Sequence, residues 1–66
     1  MELDVKRLRV LMAEKGFNVK SLARTAGVSA CAVNLYVNHG TRPRLDSLGR
    51  LAKALGVDVM EIVKEA

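Results

Sequence analysis

Glycines at Gly16, Gly27, Gly40 and Gly56, with Pro43, cut this 66-residue chain into pieces of fifteen residues or fewer. Within each piece apolar residues recur at i, i+3, i+4 spacing, the signature of one buried helical face. The first helix is predicted over about 5–15, with Val5, Leu8, Leu11 and Met12 inward, Asp4 as N-cap and Gly16 just past the end. A second follows over about 19–26, with Asn18 as cap and Leu22, Ala23 and Ala26 inward. Ser29 caps a third over about 30–37, anchored by Val33 and Tyr36. Residues 38–44 read as a loop, because Gly40 and Pro43 both resist helix. A fourth helix runs over about 45–55, with Leu45, Leu48, Leu51, Ala52 and Leu55 on one face. Asp58, followed three residues later by Glu61, is a capping-box variant that opens a fifth, to about Lys64. No alternating run predicts a strand. The expectation is an all-α, compact five-helix globule forming one domain over 1–66.

Composition narrows the setting. Half the residues are hydrophobic, so a core forms without covalent staples. The lone cysteine, Cys31, excludes an intrachain disulfide and a multi-cysteine zinc site, and His39 has no partner for a metal or a triad. No cofactor is called for. A reducing cytoplasmic compartment fits best. No apolar run reaches the roughly 20 residues of a membrane span, and no signal peptide is visible. Catalysis fails on inventory: the carboxylates sit at the two ends as caps and surface charges. The Gly-x-x-x-x-Gly spacing lacks the Lys-Ser/Thr tail of a phosphate loop.

Charge is segregated along the chain. From Lys15 to Leu45 there is no carboxylate, while Lys15, Lys20, Arg24, Arg42 and Arg44 fall inside. All seven acids lie outside that stretch, and the net charge is +4. A one-sign middle attracts polyanions. The same stretch holds residues 18–38, which read as helix, tight turn, helix. Two helices crossing steeply need a small residue where they meet (Ala23), a glycine that turns (Gly27) and an apolar anchor on the second (Val33). Their N-terminal N–H groups then face outward and suit phosphate. A nucleic-acid-binding module is the expectation.

Leu22-Ala-x-x-x-Gly-Val-Ser29, Val33, Arg42-Pro-Arg44 and Leu48-x-x-Leu51-Ala-x-Ala-Leu-Gly-Val57 occur in order. In these the chain resembles the helix-turn-helix domains of lambda repressor and Cro, over roughly Arg7 to Val63. The resemblance implies an α-helical fold that binds double-stranded DNA, usually as a dimer, with the third helix in the major groove. It implies a small transcriptional regulator, most often a repressor, in the cytoplasm with the nucleoid.

By family position, Ala30, Cys31, Ala32 and Leu35 take the places that usually read bases, and Val19 the place of a phosphate-gripping glutamine. These are apolar or nearly so, where Gln, Asn and Arg normally carry the donor and acceptor code. Asn34 is the remaining polar reader, against a solvated helix residue as the plain alternative. Thr41, Arg42 and Arg44 are the loop contacts to phosphate or minor groove. Asn38, at the end of the third helix, Asn18 and Ser29, at the caps, and Lys20 and Arg24 flank the backbone. Relatives hold a buried Arg–Glu pair between the first and third helices. Here Met12 and Val37 stand there together, which avoids a lone buried charge.

Three readings stay open for Val19, Cys31 and Leu35: DNA binding led by phosphate contacts and shape, a surface converted to dock a protein partner, or a rotated helix with Leu35 in the core. The apolar last helix, through Val59, Met60, Ile62 and Val63, is expected to form a homodimer face. A protein-interaction module on the same fold, such as an antitoxin or anti-regulator, is the alternative function.

Overall fold

The computed structural model describes residues 2–64. Four α-helices follow a short strand: β1 (Glu2–Leu3), α1 (Val5–Lys15), α2 (Val19–Ala26), α3 (Ala30–Asn38) and α4 (Leu45–Leu55). A 3-10 turn (Val59–Glu61) and a second short strand, β2 (Val63–Lys64), complete the described chain. No helix among the described residues is long and apolar enough to cross a membrane.

The predicted starts and stops of the first four helices are met by local bonds. Asp4 Oδ1 accepts from the Arg7 N–H at 3.1 Å and so caps α1. Beyond Gly16, the Phe17 N–H closes α1 by donating to Met12 O at 2.8 Å. The inward faces meet in one core. Leu8 of α1, Leu22 of α2, Val33 of α3, and Leu51 and Leu55 of α4 are essentially solvent-free. Burial of each such side chain contributes about 1.5–3 kcal/mol. Ala23 and Ala26 keep the α2 surface low where α3 and α4 pack on it. Met12 and Val37 are both buried. Phe17 and Val5 pack at the margin, half-buried.

Two expectations need correction. The fifth helix does not form. After Asp58 the chain makes one 3-10 turn, then extends as β2, which pairs antiparallel with β1 in the register Glu2↔Lys64 and Leu3↔Val63. Asp58 does cap, accepting from the Met60 N–H at 3.3 Å. Glu61, however, does not reach back to complete the box; its carboxylate takes a hydrogen bond from Arg7 at 3.1 Å instead. The segment is too short for a self-supporting helix. Ile62, which closes the 3-10 turn just before β2, enters the core at 0 % exposure, while its carbonyl accepts from the Asp4 N–H at 2.7 Å. The small sheet thus replaces the predicted helix within an otherwise all-α fold. Ile62 accordingly leaves the expected dimer face for the core; Val59 and Val63 are half-buried and Met60 is 70 % exposed.

Leu45 is the second correction. Its spacing predicts the inward face of α4, but it is 77 % exposed. It is the first residue of α4, and the inward face begins one turn later at Leu48. A side chain in the first helical turn leans back toward the preceding loop rather than along the packed face.

Candidate nucleic-acid interface

The turn between α2 and α3 is built from bonds local to it. Gly27 sits at φ +74, a left-handed conformation that costs an L-residue with a Cβ about 1–2 kcal/mol. Val28 tucks half-buried into the corner, its N–H donating to Ala23 O at 3.0 Å. Asn18 and Ser21 form a reciprocal box: Asn18 Oδ1 accepts from the Ser21 N–H at 2.8 Å, and Ser21 Oγ accepts from the Asn18 N–H at 2.9 Å. Ser29 Oγ accepts from the Ala32 N–H at 3.0 Å. Neither helix has an acid in its first turn. The N–H groups of Val19, Lys20, Ala30 and Cys31, at the first turns, have no intrahelical acceptor. Both positive helix ends are therefore left without a local carboxylate.

One bond from outside holds this turn. Arg50 of α4 donates from Nη1 to Gly27 O at 3.1 Å. Nothing in the local pattern marked Arg50, since a lone arginine on α4 reads as a surface charge. The carbonyl it meets belongs to the left-handed glycine just past the C-terminal end of α2.

The candidate readers separate into two groups. Ala30, Cys31, Asn34, Leu35 and Asn38 are exposed on α3. Of these, Cys31, Asn34, Leu35 and Asn38 recur at i, i+3, i+4, i+7 and form one stripe. Leu35 is 38 % exposed, so it belongs to this stripe and not to the core. Val19 and Ala32 instead spend part of their surface packing inward, half-buried. Lys20 and Arg24 are exposed one turn apart on α2, and Thr41, Arg42 and Arg44 are exposed in the loop before α4. Thr41 is fixed through its backbone, its N–H donating to Leu35 O at 3.3 Å. His39 closes α3, its N–H donating to the same carbonyl at 3.0 Å.

Two residues outside the carboxylate-free stretch complete the surface. Glu2 of β1 lies 3.1 Å from Arg42 as an ion pair, although Arg42 stays 76 % exposed at its side chain. The cationic segment is therefore acid-free in sequence but not in space. Arg9 of α1 reaches the C-terminal end of α3, donating from Nη2 to Val37 O at 2.9 Å and to Asn38 Oδ1 at 3.2 Å. Asn38 Nδ2 in turn donates to Asn34 Oδ1. Sequence reasoning missed both Glu2 and Arg9. No short-range spacing relates them to residues 40 and 29 positions away.

A family model of the Cro/C1-type HTH DNA-binding domain matches residues 7–64. No curated protein matches the chain significantly in sequence. The match begins at the Arg7 that α1 uses against Glu61, takes in the Gly27 turn with both capped helices, and runs to the last described residue, Lys64. On this coverage, the chain belongs to the Cro/C1-type HTH DNA-binding domain family.

Proposed function

We propose that this domain is a transcriptional regulator, a repressor, that lays α3 in the major groove of duplex DNA. The observation that carries the reading is the exposed stripe Cys31, Asn34, Leu35 and Asn38, beside two helix N-termini without first-turn acids. Backbone amides, Lys20, Arg42 and Arg44 take the phosphates, which set register and most of the affinity. The apolar half of the stripe suits thymine methyl groups. DNA shape then supplies much of the remaining selectivity. One copy measures 28 × 21 × 19 Å, shorter than the roughly 34–36 Å between successive half-sites, so a homodimer is needed to read two. Met60, with the exposed parts of Val59 and Val63, supplies apolar surface for that contact.

The test is a salt-titrated binding assay on random duplex DNA. Binding should weaken steeply with salt. Arg44→Ala should lower the log–log salt slope by about one charge on every sequence. Arg42→Ala should lower it less, because Glu2 already offsets part of that charge. No binding in dilute salt by correctly folded protein would reject the reading. The exposure of Leu35 favours a second reading, a surface that docks a protein partner. Leu35→Gln discriminates between them: loss of partner association with DNA affinity and site preference both unchanged would support docking.

A further inference from the structure

We propose that Arg9 is a positioning residue that sets the hydrogen-bonding polarity of Asn34, so that Asn34 recognises acceptor-bearing base edges. This rests on the duplex-binding reading above and deepens it. A guanidinium has donors and no acceptor, so the Asn38 atom facing Arg9 is the amide oxygen. That oxygen lies 3.2 Å from Arg9 Nη2. The same nitrogen is anchored on the partly buried Val37 carbonyl at 2.9 Å, which holds the guanidinium at the end of α3. With its oxygen toward Arg9, Asn38 turns its Nδ2 back along the helix, where it donates to Asn34 Oδ1 one turn away. Asn34 therefore has its oxygen engaged and its Nδ2 hydrogens unused in this chain of bonds.

The consequence is chemical. In the major groove guanine shows N7 and O6 acceptors and thymine shows O4, whereas adenine N6 and cytosine N4 are donors. The two-bond pairing of an asparagine with adenine needs amide oxygen and nitrogen together. One of the two lone pairs of the Asn34 oxygen is already taken by Asn38, and that bond draws the oxygen toward residue 38 and away from such a pairing. Donation from Nδ2 remains, and guanine, with two adjacent acceptors, is the best match. Arg9 itself touches no base; it acts through Asn38.

The experiment has two readouts. In the free protein, side-chain amide NMR should show a hydrogen-bonded, slowly exchanging Asn38 amide proton and solvent-exposed Asn34 amide protons. Arg9→Ala should abolish that difference and Arg9→Lys should keep it. On DNA, selection from a random duplex library should give one position favouring guanine, with thymine next. Asn34→Ala should erase that preference and weaken binding to the selected duplex roughly three- to tenfold. Asn38→Asp is the sharpest variant. Aspartate still accepts from Arg9 but has no donor for Asn34, so the Asn34 amide should flip and the preference should move to adenine or cytosine. Equal exchange of the two wild-type amides, or a base preference unmoved by Asn34→Ala and Asn38→Asp, would overturn the proposal while leaving DNA binding intact. Absence of all duplex binding with the amide pattern present would instead sink the DNA reading, and this one with it.

Discussion

The turn between α2 and α3 and the segment at residues 58–64 begin with the same kind of signal and end differently. Each opens on a side-chain cap, Ser29 in one and Asp58 in the other, and each cap accepts a backbone N–H. After Ser29 the chain winds through nine residues of helix. After Asp58 it makes a three-residue 3-10 turn and then pairs with β1. A cap satisfies one donor and sets where a helix starts; it does not decide how far the helix runs. Around Gly27, apolar periodicity, small residues and caps all favour helices crossing at that turn. At the C-terminal end, a fully buried Ile62 and a strand partner at residues 2–3 draw the chain into an extended path.

The largest effect is expected at the seam that joins the helix-turn-helix to α1. Val37→Glu would put a carboxylate into the apolar cluster that also holds Met12, at a cost of roughly 3–5 kcal/mol. Urea denaturation showing an unshifted midpoint would mean that α3 is held elsewhere. Next come two solvent-free side chains, one from each region. Leu22→Ala and Ile62→Ala should each cost about 2–5 kcal/mol, with one cooperative transition in both. A small loss for Ile62→Ala alone would show that the C-terminal segment frays independently of the core. Gly27→Ala should cost about 1–2 kcal/mol from the left-handed backbone. Its new methyl group would meet only Arg50 Nη1 at 3.7 Å, an ordinary contact. The smallest pair compares the caps directly. Ser29→Ala should lower stability by about 1 kcal/mol. Asp58→Ala should lower it by less, because only a short turn follows. Equal losses in a thermal-denaturation series would contradict the different roles assigned to the two caps.

Most of the scaffold is legible in the sequence because its determinants are local. Leu8, Leu11 and Met12, or Leu48, Leu51 and Leu55, repeat at helical spacing, and the caps of α1, α2 and α3 lie three residues from the N–H groups they serve. Leu45 shows the limit of that logic: it fits the same repeat but stands on the first turn, where no other element covers it. The candidate interface was legible as a set of positions on α2, α3 and the loop. Its bonding was not. Asn34 and Asn38 read as two separate polar residues until Arg9 joined them, and Arg42 read as a free cation until Glu2 folded beside it.

Sequence alone determined the four main helices, the caps that open α1, α2 and α3, and most of the inward faces. Each of those properties depends on neighbours within about four positions, the reach of a helical hydrogen bond. Tertiary structure decided that Ile62 enters the core, that β1 and β2 pair, that Arg50 holds the Gly27 carbonyl and that Arg9 orients the amides on α3. Those outcomes turn on which surfaces meet once the core closes, and groups 23 to 62 residues apart meet only after the helices have chosen their packing partners.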